Sequence, residues 1–235
     1  MERFRALKEE GMNAVLISCS PFQQERIPLR RVLNAIEAGL SVFGRGGVMV
    51  YQGQCIRWVA EISTDEPVPI EAYIERYGSE GAGRLFWEEY GLIPGGRSGF
   101  TLGHLTRRHP PEAFMGLDCR RELLYPNHSH FDLYGNHISW FCGGLSVGRW
   151  SELEKTIREF ERGIYPSPVD ILVSEGPYGL YRLAAEKYGF KPSPEGYVGK
   201  CHLCTDVRRH LVKTGDFPAL RPKKFYESLF PKGSG

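Results

Sequence analysis

Ala14-Val15-Leu16-Ile17-Ser18 is a near-continuous apolar run of strand length, the pattern of a parallel strand buried on both faces. Upstream, residues 2–10 are rich in helix formers, with Phe4 and Leu7 three apart and Gly11 where a C-cap belongs. A helix feeding such a strand is the second half of a βαβ crossover, so a strand is expected before that helix, and the sequence shows none. Downstream, Pro28 suits a first helical turn, and Val32, Leu33, Ile36, Leu40 and Phe43 keep a helical period up to Gly44. Gly47-Val48-Met49-Val50-Tyr51 reads as the next strand. Residues 70–90 carry Ile74, Tyr77, Leu85, Phe86 and Trp87 in a helix interrupted by Gly78, Gly81 and Gly83. Strand, helix, strand, helix predicts an α/β architecture with a parallel sheet.

From about residue 95 the texture changes. Gly95, Gly96, Gly99 and Gly103 crowd together and Pro110-Pro111 follows. Ser151 is placed to cap a helix, with Glu154 at the capping-box position and Leu153, Ile157 and Phe160 on one face. A second helix is expected at Gly179–Lys187, ahead of a Pro/Gly-rich link over residues 192–199. The boundary is expected near residue 115.

The 235 residues, 41% hydrophobic, suffice for one large domain or two modest ones, which argues against whole-chain disorder. Thirty Lys and Arg against 28 Asp and Glu leave a net charge of +2, so no global field recruits nucleic acid or an anionic membrane. No apolar run approaches the roughly 18 residues of a spanning helix, and Glu2-Arg3-Phe4 does not open a signal peptide. A cytoplasmic protein is expected, and six cysteines there read as ligands or reactive thiols, not as a disulfide framework.

Cys201-His-Leu-Cys204 is a C-x2-C pair, a spacing that lets two thiolates converge from a single turn on a metal or cluster. Lys200, Arg208 and Arg209 flank it, and nearby positive charge favours thiolate. Upstream lie Cys119 and Cys142, the latter closing a segment in which Tyr134-Gly135-Asn136 has the composition of a hairpin turn. Such a ribbon would bring Cys119 and Cys142 to one end. Cys119, Cys142, Cys201 and Cys204 are therefore candidate ligands of an iron–sulfur cluster or of tetrahedral zinc.

Asp132-Leu-Tyr-Gly-Asn-His-Ile-Ser-Trp-Phe-Cys142-Gly-Gly-Leu-Ser-Val-Gly148, followed by Gly199-Lys-Cys201-His-Leu-Cys204, resembles the C-terminal auxiliary-cluster region of radical S-adenosylmethionine (radical SAM) proteins, in the SPASM or twitch style. Val15-Leu-Ile-Ser-Cys-Ser-Pro-Phe-Gln-Gln-Glu-Arg-Ile-Pro28 is similar to the fourth strand and following helix of that family's partial TIM barrel. The resemblance implies an incomplete parallel (β/α) barrel over residues 1–115, a small α+β cysteine-ligated module over 116–213 holding an auxiliary 4Fe–4S cluster, and a tail over 214–235. The family's C-x3-C-x2-C loop is not in this sequence, and neither Cys19 nor Cys55 has the neighbours to replace it. The chain is thus expected to be the C-terminal part of a longer radical SAM protein, a subunit of a split enzyme whose separate N-terminal chain completes the barrel, or a degenerate relative. S-adenosylmethionine would bind only with that missing part, the substrate being a peptide or small molecule.

By family position, Ser18 and Ser20 would face S-adenosylmethionine, with Gln23 and Glu25 further out; the alternative is that both serines only satisfy a strand-to-helix turn. Arg97 could hold an anion or lie in a surface turn. Cys19 and Cys55 read as small apolar fillers. His128 and His130 could ligate a metal or face solvent, and His202 would neighbour a cluster or be exposed. The basic stretch from Arg208 to Lys224 reads as a solvated face and not as a nucleic-acid site. Tyr125, Phe131, Tyr134, Trp140 and Phe141 are expected to form a compact core around the hairpin. Pro231–Gly235 reads as a flexible tail. The rival to an iron–sulfur protein is a binding or scaffold protein in which the same four cysteines hold structural zinc.

Overall fold

The computed structural model describes residues 1–229. The tail expected at Pro231–Gly235 lies outside them. Contacts divide the chain after Gly91 into two compact units.

The first unit is built on one βαβ element. Helix α1 (Glu2–Glu9) leads to β1 (Val15–Ser18); after the short α2 (Pro21–Gln24), α3 (Leu29–Phe43) crosses over to β2 (Val48–Tyr51). The strands pair in parallel, Val15 opposite Val48 and Ser18 opposite Tyr51. Gly39 lets α3 lie close on the sheet, since a Cβ there would stand 3.1 Å from Val48 and 3.3 Å from Val15. Helix α4 (Cys55–Ala60) and α5 (Ile70–Gly83) follow, the latter broken at Gly78 (φ 72°), the first of the three glycines expected to interrupt it.

The expected parallel barrel is not formed. Among the described residues the strands make one two-stranded parallel sheet and one three-stranded antiparallel sheet. Nor is β1 buried on both faces: Ile17 is covered beneath α3, while Leu16 and its neighbours Met49 and Tyr51 are more than half exposed. The apolar run identified a parallel strand correctly, but a barrel requires further strands paired beside these.

In the second unit the short α6 (Ser98–Thr101) and α7 (Arg120–Leu124) precede an antiparallel sheet of β3 (Ser129–Phe131), β4 (Asn136–Ser139) and β5 (Ser146–Arg149). Then come α8 (Leu153–Glu161), α9 (Val169–Ser174), α10 (Gly176–Tyr188), α11 (Lys200–Thr214) and α12 (Lys223–Glu227). Ser151 does not cap α8; it lies in a 3-10 turn, Trp150–Glu152, that enters the helix. The β3–β4 hairpin is closed as its composition predicts: Asp132 Oδ1 accepts from the backbone N–H of Tyr134 and Asn136, both at 2.9 Å, and Gly135 takes φ 75°.

Leu172, Leu180, Leu203, Val207 and Leu211 pack α9, α10 and α11 into one core, which Ala219, Leu220, Tyr226 and Leu229 complete. The α9–α10 junction at Gly176 (φ 69°) passes so close to the backbone before α7 that a Cβ would fall 1.8 Å from Leu117 O. Gly163 has nearly the same φ, 71°, but faces open space. Gly163→Ala is therefore expected to cost only the left-handed penalty, about 1–2 kcal/mol. Gly176→Ala should cost more, about 3–4 kcal/mol, because backbone must also move. Denaturant unfolding of both variants checks this, and equal losses would contradict the close approach.

Candidate metal centre

Three segments of the second unit carry the four candidate cysteines. Cys119 stands at the N-terminus of α7, where its N–H donates to Leu172 O (3.0 Å) on α9. It is therefore not at the end of the hairpin ribbon, because the residues after it form a helix instead of a strand. Cys142 follows β4 in a tight turn, its N–H donating to Ser139 O (3.1 Å). The turn is made by Trp140, held at φ 46°, and by Gly143 and Gly144, against which the Phe225 ring packs with no room for a Cβ. Such a backbone costs a bulky residue about 1–3 kcal/mol and persists only where its surroundings enforce it. Ser139 Oγ donates to Glu122 O (2.7 Å), tying β4 to α7. Cys201 and Cys204 occupy the first turn of α11, three apart and so on one face, and Arg208 extends that face by one more turn.

The four thiols lie within one another's electrostatic field. A charge on Cys204, Cys142 or Cys201 raises Cys119, and Cys204 and Cys201 act likewise on Cys142. Burial is the larger cause throughout: it raises Cys119, pushes Cys142 up to about 12, and lifts Cys201 to about 11 with help from Cys204. Among the described residues, however, no three His, Cys, Asp or Glu side chains are gathered closely enough to hold an ion as they stand. The thiols are thus close enough to raise one another without being gathered into a chelating group.

Two cations face this group. Lys200 donates to Glu122 Oε1 (2.7 Å) and Asp118 O (2.7 Å), binding the start of α11 to the segment that carries Cys119. Burial disfavours its charge, but Glu122 and the thiols outweigh that and raise it. Arg208 is buried, at 4% exposure. Its guanidinium donates to Gly143 O (3.0 Å) and Tyr226 OH (3.2 Å), while Nε has no partner. Burial opposes its charge, and the groups that sustain it are Tyr226, Cys204 and Cys142, none of them a carboxylate. A buried guanidinium without an anion costs several kcal/mol. Thiolates at Cys142 and Cys204 would supply negative charge beside it.

His202, between the cysteines, is buried instead of exposed. Its Nδ1 accepts from Val198 N (3.3 Å), and its ring packs edge-on to Phe100 and Tyr197. Burial, aided by Arg108 and opposed by Asp206, holds it neutral with a pKa of about 4. The aromatic core expected around the hairpin does not exist: Tyr125, Phe131, Tyr134 and Phe141 are all exposed. The apolar shell comes instead from Leu123, Leu145, Leu203 and Val207. A cleft of about 270 Å³ is lined by Arg121, Glu122, Tyr125, Asn127 and Trp140.

The remaining candidates lie apart from the quartet in sequence. Ser18 ends β1, half-buried. Ser20 caps α2, its Oγ accepting from Phe22 N (3.2 Å) while Gln23 Oε1 accepts from Ser20 N (3.3 Å). Tyr90 OH lies 3.3 Å from Ser20 Oγ and accepts from Gln52 Nε2 at 2.6 Å. The cap and Tyr90 together occupy the Ser20 hydroxyl. Glu25 is half-buried, and Arg97 is an exposed turn residue whose carbonyl accepts from Phe100 and Thr101. Cys19 and Cys55 are fully buried and their thiols are raised to about 11 and about 12 by burial, Cys55 also by Cys19. Nothing in the sequence suggests that proximity.

No family model matches the chain, and no curated protein or solved structure matches it. Among the described residues no helix is long and apolar enough to cross a membrane.

An acid whose pKa is raised by folding stabilises fully below its unfolded value, about 8.5 for a thiol, and that contribution is lost as pH rises through the folded value. With Cys142 at about 12 and Cys201 at about 11, the metal-free protein should lose stability steadily above about pH 8.5. Urea midpoints of metal-free protein between pH 7 and about 10.5 test this, the decline being shallower in Cys142→Ser. A level midpoint in the parent would show that the thiols are not buried together.

Proposed function

We propose that Cys119, Cys142, Cys201 and Cys204 ligate a 4Fe–4S cluster of the auxiliary kind implied by the resemblance to radical SAM proteins, and that the chain supports radical modification of a substrate. The observation that carries this reading is the buried Arg208 guanidinium, which has an unsatisfied Nε and whose charge is sustained by Tyr226 and by two of those cysteines, Cys204 and Cys142. A four-thiolate centre is net negative, and burying it beside Arg208 and Lys200 neutralises both sides at once.

Such a cluster, when bound, supplies one-electron redox chemistry. Arg208 would stabilise its reduced form and hold the Cys142 turn through Gly143. Lys200 would screen the thiolates of Cys119 and Cys201 while anchoring them through Glu122 and Asp118. Leu123, Leu145, Leu203 and Val207 would exclude water, which tunes potential and limits loss of metal. Ser20 serves the α2 cap in this account.

Anaerobic purification is expected to give brown protein with broad absorbance near about 400 nm, with iron and acid-labile sulfide in equal amounts. Cys119→Ser and Cys204→Ser should each lose most of the colour, whereas Cys19→Ser and Cys55→Ser should keep it. Arg208→Met should retain the cluster at a lower reduction potential. Colourless protein with about one zinc per chain would overturn the cluster and leave a zinc-stabilised fold.

A further inference from the structure

Asn127-His128-Ser129-His130 is not used by the proposed function. His130 lies within β3 and His128 just before it, so the two alternate residues project to the same side of an edge strand. Both are exposed, and their ring centres are 5.0 Å apart with the planes at 78°. On its other side His128 meets the Phe141 ring edge-on at 4.9 Å, which restricts its rotation.

That separation is compatible with two imidazoles on one ion. A metal about 2.0–2.1 Å from a ring nitrogen lies about 3.2 Å from the ring centre, so centres 5.0 Å apart correspond to an angle of about 100° at the metal. The value falls between the right angle of square-planar or octahedral sites and the tetrahedral angle. We propose that His128 and His130 form a surface chelate for a divalent first-row transition ion, Cu²⁺ or Ni²⁺ before Zn²⁺, with water or a donor from a second molecule completing the shell. Imidazole is the borderline ligand such ions prefer, and binding rises along the series to Cu²⁺. The site differs from the cysteine quartet in chemistry and access: imidazoles at the surface against thiols that are buried or half-buried.

The other histidines provide controls. His202 is buried, His210 Nε2 is bonded to Tyr188 O at 2.6 Å, His137 stacks on Phe131, and His109 is half-buried with its ring edge-on to Phe114. His104 is exposed, and no ring contact joins it to another histidine among the described residues.

The test is retention of the untagged protein on immobilised Cu²⁺–iminodiacetate, which reads surface imidazoles. The parent should bind, and His128→Ala and His130→Ala should each elute at a several-fold lower imidazole concentration, with His104→Ala unchanged. Both exposed positions should keep the parent's unfolding midpoint. In solution, substoichiometric Ni²⁺ should broaden the ring resonances of His128 and His130 together, before those of His104. Equal retention of His130→Ala and parent, or broadening that spares this pair, would overturn the site.

Discussion

A guanidinium held at 4% exposure, with one nitrogen unsatisfied and no ion pair to a carboxylate among the described residues, is the constraint on which the second unit turns. Moving such a charge out of water costs several kcal/mol unless an anion goes with it. Arg208 is nevertheless built into the fold from both sides. It donates to Gly143 O and Tyr226 OH, and Tyr226 in turn donates to Gly144 O at 2.6 Å, so one side chain joins α11, the Cys142 turn and α12. The thiols opposite have the complementary difficulty, being disfavoured as thiolates by burial and by one another. On the proposed reading, each half of the problem would answer the other once a metal centre let the thiols ionise, which is the physical content of metal binding as folding free energy.

The architecture serves that juxtaposition. Helix α11 presents Cys201, Cys204 and Arg208 along one face while its other faces fill the core with Leu203, Val207 and Leu211. Cys119 is brought to it by two independent ties, its own N–H on Leu172 O and the Lys200 bonds to Asp118 and Glu122. Gly176 makes the first of these possible by admitting the Leu117 backbone where a Cβ would collide. Cys142 is presented by a turn that holds Trp140 in the left-handed region and in which Gly143 and Gly144 leave space for Phe225.

Much of this was legible in local sequence patterns. The apolar run at Val15–Ser18, the periodic helix after Pro28 and the strand at Val48–Tyr51 form the parallel βαβ unit they predict, and the Tyr134-Gly135-Asn136 turn closes a hairpin. What local pattern could not supply was how many strands would pair, so a barrel was expected where two strands stand with Leu16 and Met49 exposed. Aromatic content does not by itself imply burial: Tyr125, Phe131 and Phe141 stay exposed, with Phe131 and Phe141 meeting neighbouring rings. At the candidate site the C-x2-C pair was visible at once, as was its flanking Arg208, but not the meaning of that residue. The signal was its place four residues after Cys204 and seven after Cys201, which puts a cation on the thiol face of a helix. Tyr226 and Phe225 come from a segment that read as tail, and only long-range packing brings them to Gly143 and Gly144.

Whether the four thiols share one metal is decided most directly by X-ray absorption at the metal edge of anaerobically purified protein. The account predicts a first shell of sulfur alone, about four atoms per metal at about 2.3 Å, with a metal–metal vector present if the centre is a cluster. A first shell of nitrogen or oxygen, or protein that stays metal-free after incubation with iron and sulfide or with zinc, would contradict it.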